Sequence, residues 1–94
     1  MAYVHVTTSP SGTMKEYRTV TANLSPSEAT DGLLVRMVGS DAAGLHIIDI
    51  WESQAHAKRF EAEQLFPAFQ AAGITPDQKA AFTVFDADEV YVKR

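Results

Sequence analysis

The sequence contains no cysteine, which excludes disulfides, thiolate metal sites and cysteine nucleophiles together. No apolar run approaches the roughly 20 residues of a membrane-spanning helix. The first residues, MAYVHVTT, hold neither a basic region nor a long apolar segment, so no signal peptide is expected. Positive charge is scarce: eight Lys and Arg stand against twelve Asp and Glu, for a net charge of −4. The basic residues are also scattered, with only Lys58-Arg59 and Lys93-Arg94 adjacent. Nucleic acid and anionic membrane surfaces require a basic patch, so neither is expected as a partner. No serine sits in a Gly-x-Ser-x-Gly elbow, and no glycine-rich loop is present to cradle a phosphate. The three histidines, His5, His46 and His56, fall on separate elements without ligand spacing, so neither a metal nor another cofactor is expected. The default that remains is a cytoplasmic protein.

What is present is ordinary for a small globular domain, with 46% hydrophobic and 21% charged residues in 94. Residues 1–94 read as one domain without repeat or linker. A chain of this size buries only about two-thirds of its unfolded surface, so a second copy would add needed core.

Ala2 to Thr8 is rich in Val, Thr and Tyr and reads as a strand. After the turn Ser9-Pro10-Ser11-Gly12, Thr13 starts a helical pattern in which Met14, Tyr17, Val20 and Leu24 fall on one side. Asn23 to Gly32 reads as a loop or a frayed last turn. Leu33–Ser40 and Leu45–Glu52 are strands joined by the turn Asp41–Gly44. Ser53 caps a helix over Gln54–Gln64, and Pro67 must kink it or begin a second segment ending at Gly73. Ala80–Asp86 is a fourth strand, and the alternating Asp88–Lys93 reads as its bulged continuation or as a tail strand. The order βαββαβ with right-handed crossovers gives an α+β, ferredoxin-like split βαβ: a four-stranded antiparallel sheet with both helices on one face. The other face is then bare and apolar, which predicts a homodimer through the sheet face.

One stretch, LHIIDIWES over residues 45–53, places Asp49 inside an apolar run. If the Asp41–Gly44 turn closes symmetrically, Arg36 lies opposite Asp49, and these are the only charges within their runs. A carboxylate and a guanidinium at that spacing can form a bidentate pair. Alternation then puts Leu34, Val38, Ile47 and Trp51 on the face of the pair, and Leu33, Val35, Met37, Ile48 and Ile50 on the other. The first face has the makeup of a pocket floor, apolar with a few convergent polar groups. A purely structural ion pair explains the same residues equally well.

Gly32-Leu33-Leu34, Asp49-Ile50-Trp51-Glu52-Ser53, Arg59-Phe60 and Leu65-Phe66-Pro67-Ala68-Phe69 with Gly73 resemble the dimeric α/β-barrel superfamily, nearest to its antibiotic-biosynthesis-monooxygenase-like members. The resemblance covers about residues 32 to 73, and Trp-Glu-Ser with an aromatic seven residues after the Ser is its most specific part. It implies two ferredoxin-like protomers packed sheet to sheet, each with a ligand cavity between sheet and helices. Activities known in the superfamily include cofactor-free oxygenation of aromatic polyketides, haem degradation, polyketide cyclisation and lactone isomerisation. Trp51 matches the tryptophan of the oxygenase and haem-degrading pockets. Where the oxygenases favour an Asn, four residues before it, this chain has Ile47; where the haem-degrading members carry a His ligand, it has Glu61. His5 stands in the first strand as a catalytic His does in the related cyclases, but their second His, near the last strand, has no counterpart between Ala80 and Arg94.

Three function classes follow. The first is cofactor-independent oxygenation of an aromatic, polyketide-like substrate, with Arg36 and Trp51 as substrate contacts. The second is a polyketide cyclase or isomerase with His5 as base and Tyr17 or Arg36 as oxyanion partner. The third is a non-catalytic small-molecule binder or a structural dimer. The catalytic candidates are thus His5, Arg36, Asp49 and Trp51, and the substrate-binding candidates Tyr17, Leu34, Val38, Ile47, Phe60 and Phe69. His46 and His56 are expected at the surface, Glu61 and Glu63 on a solvated helix face, and Tyr91 and Val92 across a dimer contact.

Overall fold

A computed structural model describes residues 2–93. Its elements are β1 (Ala2–Ser9), α1 (Met14–Thr21), a short α2 (Pro26–Ala29), β2 (Leu33–Asp41), β3 (Gly44–Trp51), α3 (Gln54–Phe60), a π-helical turn (Glu61–Leu65), α4 (Phe66–Ala72) and β4 (Ala81–Ala87). The four strands form one antiparallel sheet in the order β2-β3-β1-β4. This is the ferredoxin-like arrangement expected from the order of elements.

Local chemistry sets the helix ends. The hydroxyl of Thr13 accepts the Glu16 backbone N–H at 3.1 Å, and that of Ser53 accepts the His56 N–H at 3.2 Å, so α1 and α3 each start on a side-chain cap. Pro67 decides the middle of the second helical region. In a continuous α-helix its nitrogen would have to donate to the carbonyl of Glu63, but it has no N–H and its ring crowds that carbonyl. The chain widens by one residue instead: Phe66 N–H reaches back to the Glu61 carbonyl in a π-type bond. α4 then runs to Gly73, whose φ of 69° closes it in the left-handed conformation.

The sheet register places three rows of side chains on the helix-covered face. Leu33, Trp51, Tyr3 and Asp86 form one row, Arg36, Asp49, His5 and Val84 the next, and Val38, Ile47, Thr7 and Phe82 the third. The core lies over the first row: Tyr3, Trp51, Ala29, Ala57 and Phe60 are buried together, with Leu24, Leu33 and Leu65 against them. Trp51 is 1% exposed and anchors it. The opposite face presents Val4, Val6, Val35, Met37, Ile48, Ile50 and Phe85, and none of the described helices packs there. Met37 on it is 54% exposed. Within one chain the sheet is therefore open, and a barrel requires another sheet against this face.

Three expectations need correction. The register slips between Leu33 and Val35, so Leu34 is a bulged residue. Leu33 consequently pairs with Trp51 and packs on the core, while Leu34 turns outward at 51% exposure. Their predicted faces are exchanged, because strict alternation holds only where no extra residue enters the ladder. Second, residues 88–93 add no strand; they lie outside the sheet, and Val90, Tyr91 and Val92 are exposed. Third, the segment expected as loop between α1 and β2 contains α2, which starts at Pro26 and buries Ala29.

Candidate functional site

The central row across the sheet is the polar centre of the molecule. Arg36 donates through Nε to Asp49 Oδ1 at 2.8 Å and through Nη2 to Oδ2 at 2.9 Å, the bidentate pair predicted from the symmetric turn. Asp49 is 8% exposed, so the pair is largely removed from water. Burial works against the charge on Arg36, but the bonds and the field of Asp49, with a smaller contribution from Tyr17, outweigh it and hold the guanidinium above its ordinary pKa. The guanidinium also lies over the Phe60 ring at 5.2 Å from its centre, and Phe60 in turn tilts against Trp51 at 5.1 Å. Among the described residues no buried side-chain polar atom lacks a partner.

His5 follows Asp49 in the same row. Its Nδ1 is 3.4 Å from the Thr7 hydroxyl, its ring 5.4 Å from that of Phe82, and its Nε2 3.6 Å from Glu61 Oε1. The last distance exceeds a hydrogen bond and is that of a loose ion pair when the imidazole is protonated. Glu61 was expected on a solvated helix face. It stands at the start of the π-helical turn and faces the sheet instead.

Above this row, between the sheet and the helices, lies a cavity of about 540 Å³. That volume lies in the range of small-molecule sites. His5, Arg36, Asp49, Trp51, Tyr17, Ile47, Phe60 and Phe69 all line it. Leu34 does not, because the bulge turns it away. Val38 shares the face but also lies outside the cavity, two residues beyond Arg36 toward the hairpin end of β2. Sequence reasoning passed over Tyr3, Phe82 and Glu61 as lining residues. Alternation along β1 and β4 carries the signal for Tyr3 and Phe82. For Glu61 the signal is its helical spacing, one turn after Ala57 and next to Phe60, the two buried residues of α3.

The other two histidines lie apart from this centre. His46 pairs with Asp41 at 2.8 Å beside the hairpin, where that contact and the Ala43 backbone N–H hold the Asp41 carboxyl below its ordinary value. His56 is half-buried rather than superficial: its Nδ1 is 2.7 Å from the Ser53 hydroxyl and its ring is packed over Gly32. Among the described residues no group of three or more His, Asp or Glu is arranged to hold a metal ion.

At one end of the cavity a third carboxylate acts as a fastener. Asp77, in the loop before β4, accepts from the Ser9 hydroxyl at 2.8 Å and from the backbone N–H groups of Ser11 and Lys79 at 2.9 Å each. The N–H bonds from Lys79 and Ser11, then the Ser9 hydroxyl, hold its carboxyl below the ordinary aspartate value. Chemically, the cavity offers a neutralised cation, an imidazole able to accept a proton, a phenol and aromatic walls. Such a set can bind a flat apolar molecule and steady charge developing on one of its oxygens.

No family profile and no curated protein matches the chain. Solved structures do. Rv0793 of Mycobacterium tuberculosis superposes with a TM-score of 0.63 at 16% identity, covering 97% of this chain and 98% of that one. PA3566 of Pseudomonas aeruginosa gives 0.61 at 20% identity over 92% of both chains. A protein from Deinococcus radiodurans, described as a "putative antibiotic biosynthesis monooxygenase", gives 0.52 at 16% identity over 100% and 99%. None of the described helices is long and apolar enough to cross a membrane. Likeness at these identities is likeness of fold: the chain shares the ferredoxin-like fold of such structures, two of which are described as "putative antibiotic biosynthesis monooxygenase".

Proposed function

We propose that the chain is a small-molecule enzyme whose cavity takes an aromatic, polyketide-like substrate and promotes its oxygenation without a cofactor. The observation that carries this reading is the row Arg36, Asp49, His5 on the floor of an otherwise apolar cavity walled by Trp51 and Phe60. His5 accepts a proton from a phenolic or enolic substrate, and the resulting electron-rich anion is itself the reductant of dioxygen. Asp49 engages Nε and Nη2 of Arg36, which leaves Nη1 to donate to the anion's oxygen. Tyr17 and Phe69 complete the wall. Fold neighbours described as "putative antibiotic biosynthesis monooxygenase" support the assignment at the level of fold.

The position of His5 in the cavity favours a second reading, a polyketide cyclase or isomerase in which the same imidazole removes a proton next to a carbonyl. One experiment separates the two. Oxygen uptake is followed with hydroxyanthrones, and cyclisation with a poly-β-keto thioester. Uptake abolished by His5→Asn supports oxygenation; turnover of the second substrate alone supports the cyclase; turnover of neither reduces the cavity to a binding site.

The open sheet face belongs to the same proposal. Its apolar side chains from all four strands match the inner surface of a dimer, so the functional unit is a homodimer joined sheet to sheet.

A further inference from the structure

We propose that Glu61 is a specificity-determining residue of the cavity: it admits uncharged, hydroxyl-bearing aromatic molecules and rejects those that arrive as carboxylates. The inference rests on the reading of the cavity as a ligand site. It adds a chemical class and the residue that enforces it.

Of the residues lining the cavity, Arg36 and Lys58 are basic, whereas Glu16, Asp49, Glu61 and Asp77 are acidic. Arg36, the guanidinium in the same row as His5 on the cavity floor, is already matched in a bidentate pair by Asp49. Glu61 therefore adds a negative charge to a floor that is otherwise balanced. It is there because it continues α3 one turn beyond Ala57 and next to Phe60, both buried, and so points at the sheet, 3.6 Å from Nε2 of His5, the strand partner of Asp49.

Consider two ligands of the same size and shape. A carboxylate that reaches the floor gives up its water to face Asp49 and Glu61; Arg36 Nη1 can donate to it, but the guanidinium charge is already matched by Asp49, and Lys58 is exposed to solvent. Like charges at that range repel more strongly as water is displaced. A hydroxyl on the same ring instead donates to Glu61 or His5 and gains a bond to an ionised or basic acceptor. The distinction does not forbid an anion formed inside the cavity. When His5 takes the hydroxyl proton, the proton stays in the cavity as imidazolium beside Glu61, and the total charge is unchanged. An anion brought in from water leaves its counter-charge outside.

The test is calorimetric titration at neutral pH with 2-naphthol and 2-naphthoate, against the wild type, Glu61→Gln, Glu61→Ala and Glu63→Gln. Amide spectra of each variant check the fold, and movement of the Trp51 indole signal places the probe in the cavity. The wild type is expected to bind the naphthol about tenfold or more tightly than the naphthoate. Both Glu61 variants are expected to raise naphthoate affinity about fivefold or more, with naphthol affected about twofold or less by Glu61→Gln. Glu63→Gln, which removes an exposed carboxylate of the same turn outside the cavity, is expected to change neither. Naphthoate bound as well as naphthol by the wild type overturns the proposal and leaves the ligand site standing. So does a Glu63→Gln effect equal to that of Glu61→Gln, since the selection then comes from the general field. Binding of neither probe to any form overturns the proposal together with the reading of the cavity.

Discussion

Replacing Asp49 by Asn removes one charge from the buried pair and leaves its partner. Arg36 stays protonated whatever its surroundings, and its side chain is only 19% exposed. The Asn amide oxygen can accept one of the two bonds now measured at 2.8 and 2.9 Å, while its NH2 turns donors toward donors. Breaking a buried pair from one side costs about 3–5 kcal/mol, and the retained bond puts Asp49→Asn near the lower end, about 3 kcal/mol. Arg36→Met with Asp49→Leu removes both charges and refills the space with apolar atoms. The loss of the cation over Phe60, about 0.5–1 kcal/mol, is then the main remaining cost. The double variant is expected within about 1 kcal/mol of the wild type. Urea unfolding at fixed protein concentration measures both. With a slope of about 1.5 kcal/mol per molar, Asp49→Asn moves the midpoint down by about 2 M and the double variant by less than about 0.7 M. A cost below about 1 kcal/mol for Asp49→Asn, or a double variant no better than the single one, would refute the account of the pair as a closed buried unit. The same variants address chemistry. If the pair acts on the substrate, the double variant folds and loses turnover; if it only maintains the floor, activity survives.

Light scattering at micromolar concentration is expected to give a dimer, and Met37→Lys, a charge set on the open face at an exposed position, a folded monomer; a wild-type monomer would sink the sheet-to-sheet dimer. Gly32→Ala is expected to destabilise more than Gly73→Ala, by urea unfolding. Both alanines must hold a left-handed conformation at about 1–3 kcal/mol, but only at position 32 does the new Cβ meet a side chain, the His56 ring, whereas at 73 it enters open space. The lowered carboxyl of Asp77 sets a pH limit. Its stabilising effect is fully present above the ordinary aspartate value of about 4 and is lost as pH falls through the lower folded-state value. Asp77→Asn is expected to flatten the acid side of a stability-versus-pH curve below about pH 4; a curve superposing on the wild type there refutes the fastening role.

Two sequence patterns carried most of the fold. The period-two run over residues 45–51 and the four-residue turn at 41–44 contained the Arg36–Asp49 register before any coordinates, because a short hairpin leaves its strands one pairing. Ser53 and Gly73 likewise marked helix ends through bonds that those residues make locally. Events outside such periods escaped. A single extra residue at Leu34 exchanged the faces of Leu33 and Leu34, and nothing in an all-apolar pair says which one will be extruded. Glu61 escaped because its charge suggested solvent, although it follows Ala57 by one helical turn and Phe60 by one residue on the buried face of α3. Which residues can meet was thus determined by the sequence through local bonding and alternation. Where the cavity lies, and that Glu61 rather than Leu34 or Val38 borders it, was decided only when the helices settled on β1 and β3, because that choice depends on packing between segments far apart in the chain.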